Sequence, residues 1–169
     1  MRLAFKVISL LMVSILAITL SLKPSSAQGR GLLSIGTGWY DFNDNRDAVD
    51  IRIEYRSNTK YLKIIKPWVG IQLTTDNAAY GLTGVLSDFY VSKHIIITPS
   101  FGIGFYSDGN GKDLGNTIEF RSQLELGYEF NDKSRISAAV SHISNAHLSD
   151  QNPGTEILNI YYHMPLKYF

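Results

Sequence analysis

The sequence predicts an all-β protein: an eight-stranded antiparallel up-and-down transmembrane β-barrel, preceded by a cleaved signal peptide. Three observations carry this expectation. The first 27 residues have the make-up of a secretory leader, the remainder alternates apolar and polar residues with period two, and no helix-period segment exceeds two turns. The 169 residues suit one domain, and 16 Lys plus Arg stand against 15 Asp plus Glu. That balance excludes a nucleic-acid binder working through a basic face. The absence of Cys excludes a disulfide framework, a thiolate zinc site, an iron–sulfur cluster and a cysteine nucleophile. Plentiful aromatic and β-branched residues argue against disorder.

Met1 to Ala27 reads as the leader. Arg2 and Lys6 give a basic start, and Val7 to Leu22 is uncharged and mostly apolar. Lys23-Pro24 ends the run ahead of the small residues Ser25-Ser26-Ala27. The run is shorter than the ~20 apolar residues of a membrane-spanning helix. Cleavage after Ala27 is therefore expected, leaving residues 28–169 as the barrel. No later segment could span a membrane as a helix, so a mature chain that enters one must do so with strands.

Eight strands are expected in chain order: Leu32–Phe42, Asp47–Ser57, Ile64–Thr75, Ala78–Val91, His94–Tyr106, Thr117–Phe130, Ser134–Asn145 and Glu156–Phe169. Alternation is clearest in the second, where Val49, Ile51, Ile53 and Tyr55 face away from Asp50, Arg52, Glu54 and Arg56. The fifth sets Ile95, Ile97, Pro99, Phe101, Ile103 and Phe105 against Thr98, Ser100, Gly102 and Gly104. The sixth opposes Ile118, Phe120, Leu124, Leu126, Tyr128 and Phe130 to Glu119, Arg121, Gln123, Glu125 and Glu129. Clusters of Asn, Asp, Gly and Ser separate the strands, and the even count suits closure without an edge.

Parity leaves open which face points inward. A lipocalin-like barrel would enclose the apolar face around a ligand, whereas an outer-membrane barrel turns it to lipid. Three features favour the second. Both signs of charge adjoin on the polar face, Gly36, Gly38, Gly102 and Gly104 lie on that same face, and Tyr161, Tyr162, Tyr168 and Phe169 supply aromatics for an interfacial girdle. Both chain ends of such a barrel lie in the periplasm, so the connections at Ser107–Asn116 and Asn145–Thr155 fall outside the cell.

The pattern breaks beside the last of these connections. On the apolar face of the seventh strand, Ile136, Ala138 and Val140 give way to His142 and Ser144, and the eighth strand starts with Glu156. His142 and Ser144 share a face about 6–7 Å apart at the backbone. A hydroxyl, an imidazole and a carboxylate in reach of one another are what nucleophilic acyl transfer needs: Ser144 to attack, His142 to move the proton, Glu156 to hold the ring. Asn145 and Asn152 are candidate oxyanion donors. The same residues could equally be polar because the strand is leaving the membrane, since a charge near the interface costs only ~0–1 kcal/mol.

The stretch Ser141-His142-Ile143-Ser144-Asn145-Ala146, then Asn152-Pro153-Gly154 and Glu156, resembles the lipid A 3-O-deacylase (PagL-type) family of outer-membrane esterases. The resemblance covers roughly the last 50 residues. It implies Ser144 as nucleophile, His142 as base, Glu156 as third member, Asn145 as an oxyanion donor, Asn152 as a loop residue the site depends on, and Phe120 as a wall for the acyl chain. It further implies an outer-membrane enzyme that hydrolyses the 3-O-linked acyl chain of lipid A, its site towards the outer leaflet. Lipopolysaccharide would be the substrate, and no metal or organic cofactor is needed. His147 departs from the pattern, because that position is often glycine and its backbone N–H is a candidate for the oxyanion hole. An outer-membrane phospholipase or a non-catalytic structural or adhesive barrel remain alternatives, and a homodimer is left open.

Other tempting residues have plainer readings. His163 falls on the polar face as a lumen residue, His94 sits at a turn without a metal-spaced partner, and Ser107 to Asp113 lacks the terminal glutamate of a calcium loop. Gly102-x-Gly104 opens no helix and is no nucleotide fingerprint.

Overall fold

Period-two alternation becomes nine strands in a computed structural model that describes residues 31–44 and 47–166. They are β1 (Leu32–Tyr40), β2 (Ala48–Arg56), β3 (Lys66–Thr74), β4 (Ala79–Leu86), β5 (Phe89–Tyr90), β6 (Ile95–Ser107), β7 (Ile118–Glu129), β8 (Arg135–Ser144) and β9 (Thr155–Pro165). Each of the long strands pairs antiparallel with its neighbours in sequence. β1 pairs with β9, and β4 pairs directly with β6, so eight strands close into a barrel with the two-residue β5 attached to β6. The expected leader and the terminal aromatics Tyr168 and Phe169 lie outside the described residues.

The apolar face points outward. Val49, Ile51, Ile53 and Tyr55 are exposed while Asp50, Arg52, Glu54 and Arg56 are buried, which excludes the lipocalin-like arrangement. Most charges in the lumen are tolerated because they have an opposite partner at hydrogen-bond distance, Glu119 being buried without one. Arg121 meets Glu54 at 2.6 Å, and Arg56 meets Glu54 and Glu125 at 2.9 Å each. His163 is buried there as expected, held between Ser34 and Ser137. Two glycines make room for large rings: a Cβ on Gly36 would stand 2.6 Å from Tyr161, and one on Gly102 would stand 2.7 Å from Trp68.

The expected strand Ala78–Val91 is divided in the structure. Asp88 turns into the lumen, where it pairs with Lys66 at 2.8 Å and Arg135 at 3.0 Å, and the backbone breaks between β4 and β5 to let it in. Opposite that break lies Pro99 of β6. Its carbonyl accepts from Ser87, so its ring nitrogen faces the same gap, where no ladder donor is required. The expected strand Ile64–Thr75 likewise begins later, at Lys66, because Ile65 closes a tight hairpin with Tyr61.

Residues 41–44 and the connections 75–78, 108–117 and 145–154 gather at one end of the barrel. Beneath them Tyr40, Tyr80, Tyr106, Leu114, Ile143 and Ile157 form a buried apolar plug. Burying each such side chain contributes about 1.5–3 kcal/mol, which makes this end of the barrel a firm base for outward-facing groups.

Candidate active site

Ile143 on β8 and Ile157 on β9 are completely buried in the plug. Strand alternation therefore turns their neighbours His142, Ser144 and Glu156 to the outer wall. His142 and Glu156 are directly paired across the two strands, and imidazole Nδ1 lies 3.0 Å from Glu156 Oε1. Their side chains are 47% and 39% exposed, so the pair stands on the outside of the barrel and not in its lumen. A carboxylate at Nδ1 accepts a hydrogen bond from N–H, which leaves the lone pair on Nε2 as the free base. Ser144 occupies the same outward face two residues along β8, directly opposite Phe120 of β7. Among the described residues its hydroxyl makes no hydrogen bond to His142, so two of the three expected partners are joined and the third lies beside them.

Gly154, one residue before β9, sets the lie of the imidazole. A Cβ there would stand 2.8 Å from His142 Cε1 and 3.4 Å from Nε2. Thr155, which follows it, is paired with Ile143. The ring edge carrying Nε2 is thus turned towards the end of β8 that carries Ser144.

Asn145 is wholly buried. Its side-chain amide donates to the carbonyls of Leu114 and Gln151, both at 2.8 Å, and its backbone N–H donates to Asn152 Oδ1 at 3.0 Å. With every donor engaged, Asn145 is placed as an anchor for the loop and not as the oxyanion donor expected from the sequence. Asn152 shares that anchoring role, its amide lying 3.3 Å from His147 Nδ1. Ala146 and His147 both adopt left-handed backbone angles, with φ of 51° and 61°. The turn closes from Leu148 N–H to Asn145 C=O. The two N–H groups in between take no backbone partner among the described residues, which leaves them available to an anion next to Ser144. A left-handed conformation at His147 also gives a physical reason for glycine at that position.

From this site a groove of about 760 Å³ crosses the outer wall, lined by His142, Val140, Leu124, Phe101, Pro99 and Val85, and it ends at Ile64 and Ile65. Phe120 stacks on Phe101 with ring centres 6.0 Å apart, joining the groove wall to the position opposite Ser144. Among the described residues no cluster of three or more His, Asp or Glu is arranged to hold a metal ion.

The family described as lipid A 3-O-deacylase (PagL) matches residues 39–165. The chain belongs to this family. In fold it is similar to the crystal structure of the outer membrane enzyme PagL, with 16% identity and a TM-score of 0.62 over 80% of this chain and 99% of that one. A de novo designed transmembrane β-barrel is also similar, with 13% identity and a TM-score of 0.58 over 84% of this chain and 100% of the design. Similarity to a designed barrel reflects the scaffold alone, so the deacylase family match carries the functional information. No curated protein matches the chain.

Within this deacylase fold, three further residues are linked to the site by contacts: Gly154, Asp41 and Lys112. Gly154 closes the Asn152-Pro153-Gly154 stretch, and its left-handed φ of 66° is that of a glycine-specific turn. Asp41 and Lys112 read as ordinary turn and loop residues. The structure joins them at 2.7 Å across 71 positions of sequence, and no local pattern reveals such a contact.

Proposed function

We propose that the protein hydrolyses the ester linking the 3-O acyl chain to lipid A, with Ser144 as nucleophile, His142 as general base and acid, and Glu156 as the group that orients and charge-balances the imidazole. The observation that carries this reading is the 3.0 Å contact between His142 Nδ1 and Glu156 Oε1 on the outer wall, with Ser144 on the same face. Ser144 Oγ attacks the ester carbonyl as Nε2 of His142 takes its proton. The N–H groups of Ala146 and His147 meet the oxyanion that forms. Collapse of the tetrahedral species passes the proton from Nε2 to the sugar oxygen, releasing the 3-hydroxyl and leaving an acyl-serine. Water, deprotonated by His142, then frees the fatty acid and restores Ser144.

An outward site fits a lipid substrate. Esters of lipid A lie where the sugars meet the acyl chains, and His142, Ser144 and Glu156 lie where the apolar wall gives way to polar loops. The substrate can therefore dock laterally, with the leaving acyl chain in the groove and no entry into the charged lumen. In an outer membrane this end of the barrel faces the outer leaflet, because the chain ends lie at the other. Detergent-solubilised protein should release 3-hydroxy fatty acid from lipopolysaccharide and leave phosphatidylethanolamine intact. Preferential hydrolysis of the phospholipid would assign the triad to a phospholipase instead.

A further inference from the structure

We propose that Lys112, on the loop between β6 and β7, is a positioning residue for the catalytic carboxylate and acts on Glu156 through Asp41 and Thr155. The proposal rests on the triad reading above and extends it to a set of contacts behind the outer wall. Lys112 Nζ lies 2.7 Å from Asp41 Oδ1 and 2.8 Å from Asp44 Oδ2. Asp41 is fully buried at the end of β1, in a left-handed conformation with φ of 58°. The same Oδ1 accepts from the Thr155 hydroxyl at 2.9 Å, while Oδ2 is buried with no partner. The buried carboxylate therefore depends on one ammonium and one hydroxyl for its charge to be tolerated.

Thr155 is the first residue of β9, and Glu156 is the second. The residue after Asp41 completes the grip, because Phe42 N–H donates to the Glu156 carbonyl at 3.3 Å. Glu156 is thus held through its own carbonyl and through the side chain of its neighbour, both from the segment that Lys112 fixes. Lys112 is itself set in place by Tyr106, whose hydroxyl donates to its carbonyl at 2.8 Å and lies 2.9 Å from the hydroxyl of Tyr40.

The same loop also holds the other half of the site. Leu114, two residues beyond Lys112, supplies the carbonyl that binds the Asn145 side chain at 2.8 Å, directly after Ser144. One loop therefore grips both the nucleophile strand and the carboxylate strand and fixes the spacing between them. Partial burial works against the charge of Lys112, but the Asp41 and Asp44 carboxylates outweigh it and raise the pKa above the usual lysine value. The cation is consequently present throughout the neutral range.

Misplacement of a catalytic group by about 1 Å can cost ~10²-fold in rate. Turnover of lipopolysaccharide by the purified full chain in detergent micelles provides the test. Lys112→Met should lower kcat about 10- to 100-fold with KM nearly unchanged, and Lys112→Arg should restore most of the loss. In a Glu156→Gln background, Lys112→Met should add little, because the group it positions has already been disabled. A second readout needs no turnover: nitrogen-15 NMR of the His142 imidazole should show its Nδ1–H bonded to a carboxylate in the wild type and in Lys112→Arg, and weakened in Lys112→Met. Thr155→Val tests the same link without touching the ion pair and should also lower kcat. Wild-type kcat and imidazole signal in Thr155→Val or Lys112→Met would overturn the proposal, as would a loss that adds in full to that of Glu156→Gln. Should Ser144→Ala retain turnover, the triad reading fails by itself, and the imidazole signal still decides the role of Lys112.

Discussion

Gly154 stands against the edge of His142, so that a Cβ on it would lie 2.8 Å from imidazole Cε1 in a backbone with φ of 66°. Both the approach and the angle call for glycine. Gly154→Ala is expected to displace the ring from Glu156 and lower turnover by about 10²-fold. The left-handed backbone adds a stability loss of about 1–2 kcal/mol. Fatty-acid release and thermal unfolding measured on one preparation separate the two effects. Near-normal turnover would show that the imidazole does not depend on this contact.

His147 is expected to tolerate glycine. Its left-handed φ of 61° is unfavourable for a side chain, and its ring makes one 3.3 Å contact with Asn152. His147→Gly should stabilise the barrel by about 1 kcal/mol while its N–H stays available to the oxyanion. Turnover should remain within about 10-fold of wild type, since the backbone donor is retained. A collapse of activity in this variant, with the fold intact, would assign the imidazole a direct part in the reaction.

Much of this molecule is legible in the alternation of its residues. Val49 to Arg56 announces both the strand and its two faces, because every second residue must satisfy lipid or lumen and a slip by one would reverse all of them. The outward pair of His142 and Glu156 is legible for the same reason, since the two interrupt an otherwise apolar face. Asp88 is not: a single aspartate inside Ala78–Val91 looks like a polar-face residue, and only the distant Lys66 and Arg135 turn it into a break between β4 and β5. Asn145 misleads for a related reason. Its place next to Ser144 suggests a donor to the oxyanion, but the carbonyls of Leu114 and Gln151 draw its amide inward. Long-range partners decide both cases, and residue spacing does not carry them.

The Asp88 cluster should make the barrel sensitive to acid. Burial raises the carboxyl pKa, but the charges of Arg135 and Lys66 more than offset it and bring the value down to about 2 from 3.8. A folded-state pKa below the unfolded one means that the pairing stabilises the fold above about pH 3.8 and is lost as pH falls towards 2. The shift corresponds to about 2 kcal/mol. Urea unfolding in lipid vesicles between about pH 5 and pH 2 should show this loss in the wild type and a shallower one in Asp88→Asn. Equal acid slopes in the two proteins would remove Asp88 from the account.

Mass spectrometry of lipid A from cells producing the wild-type protein or Ser144→Ala tests the central claim most directly. The wild type should convert lipid A to a species lighter by one 3-O-linked hydroxyacyl chain, and the variant, folded and present in equal amount, should leave it unchanged. Deacylated lipid A in the Ser144→Ala cells would contradict the assignment of that hydroxyl as the nucleophile.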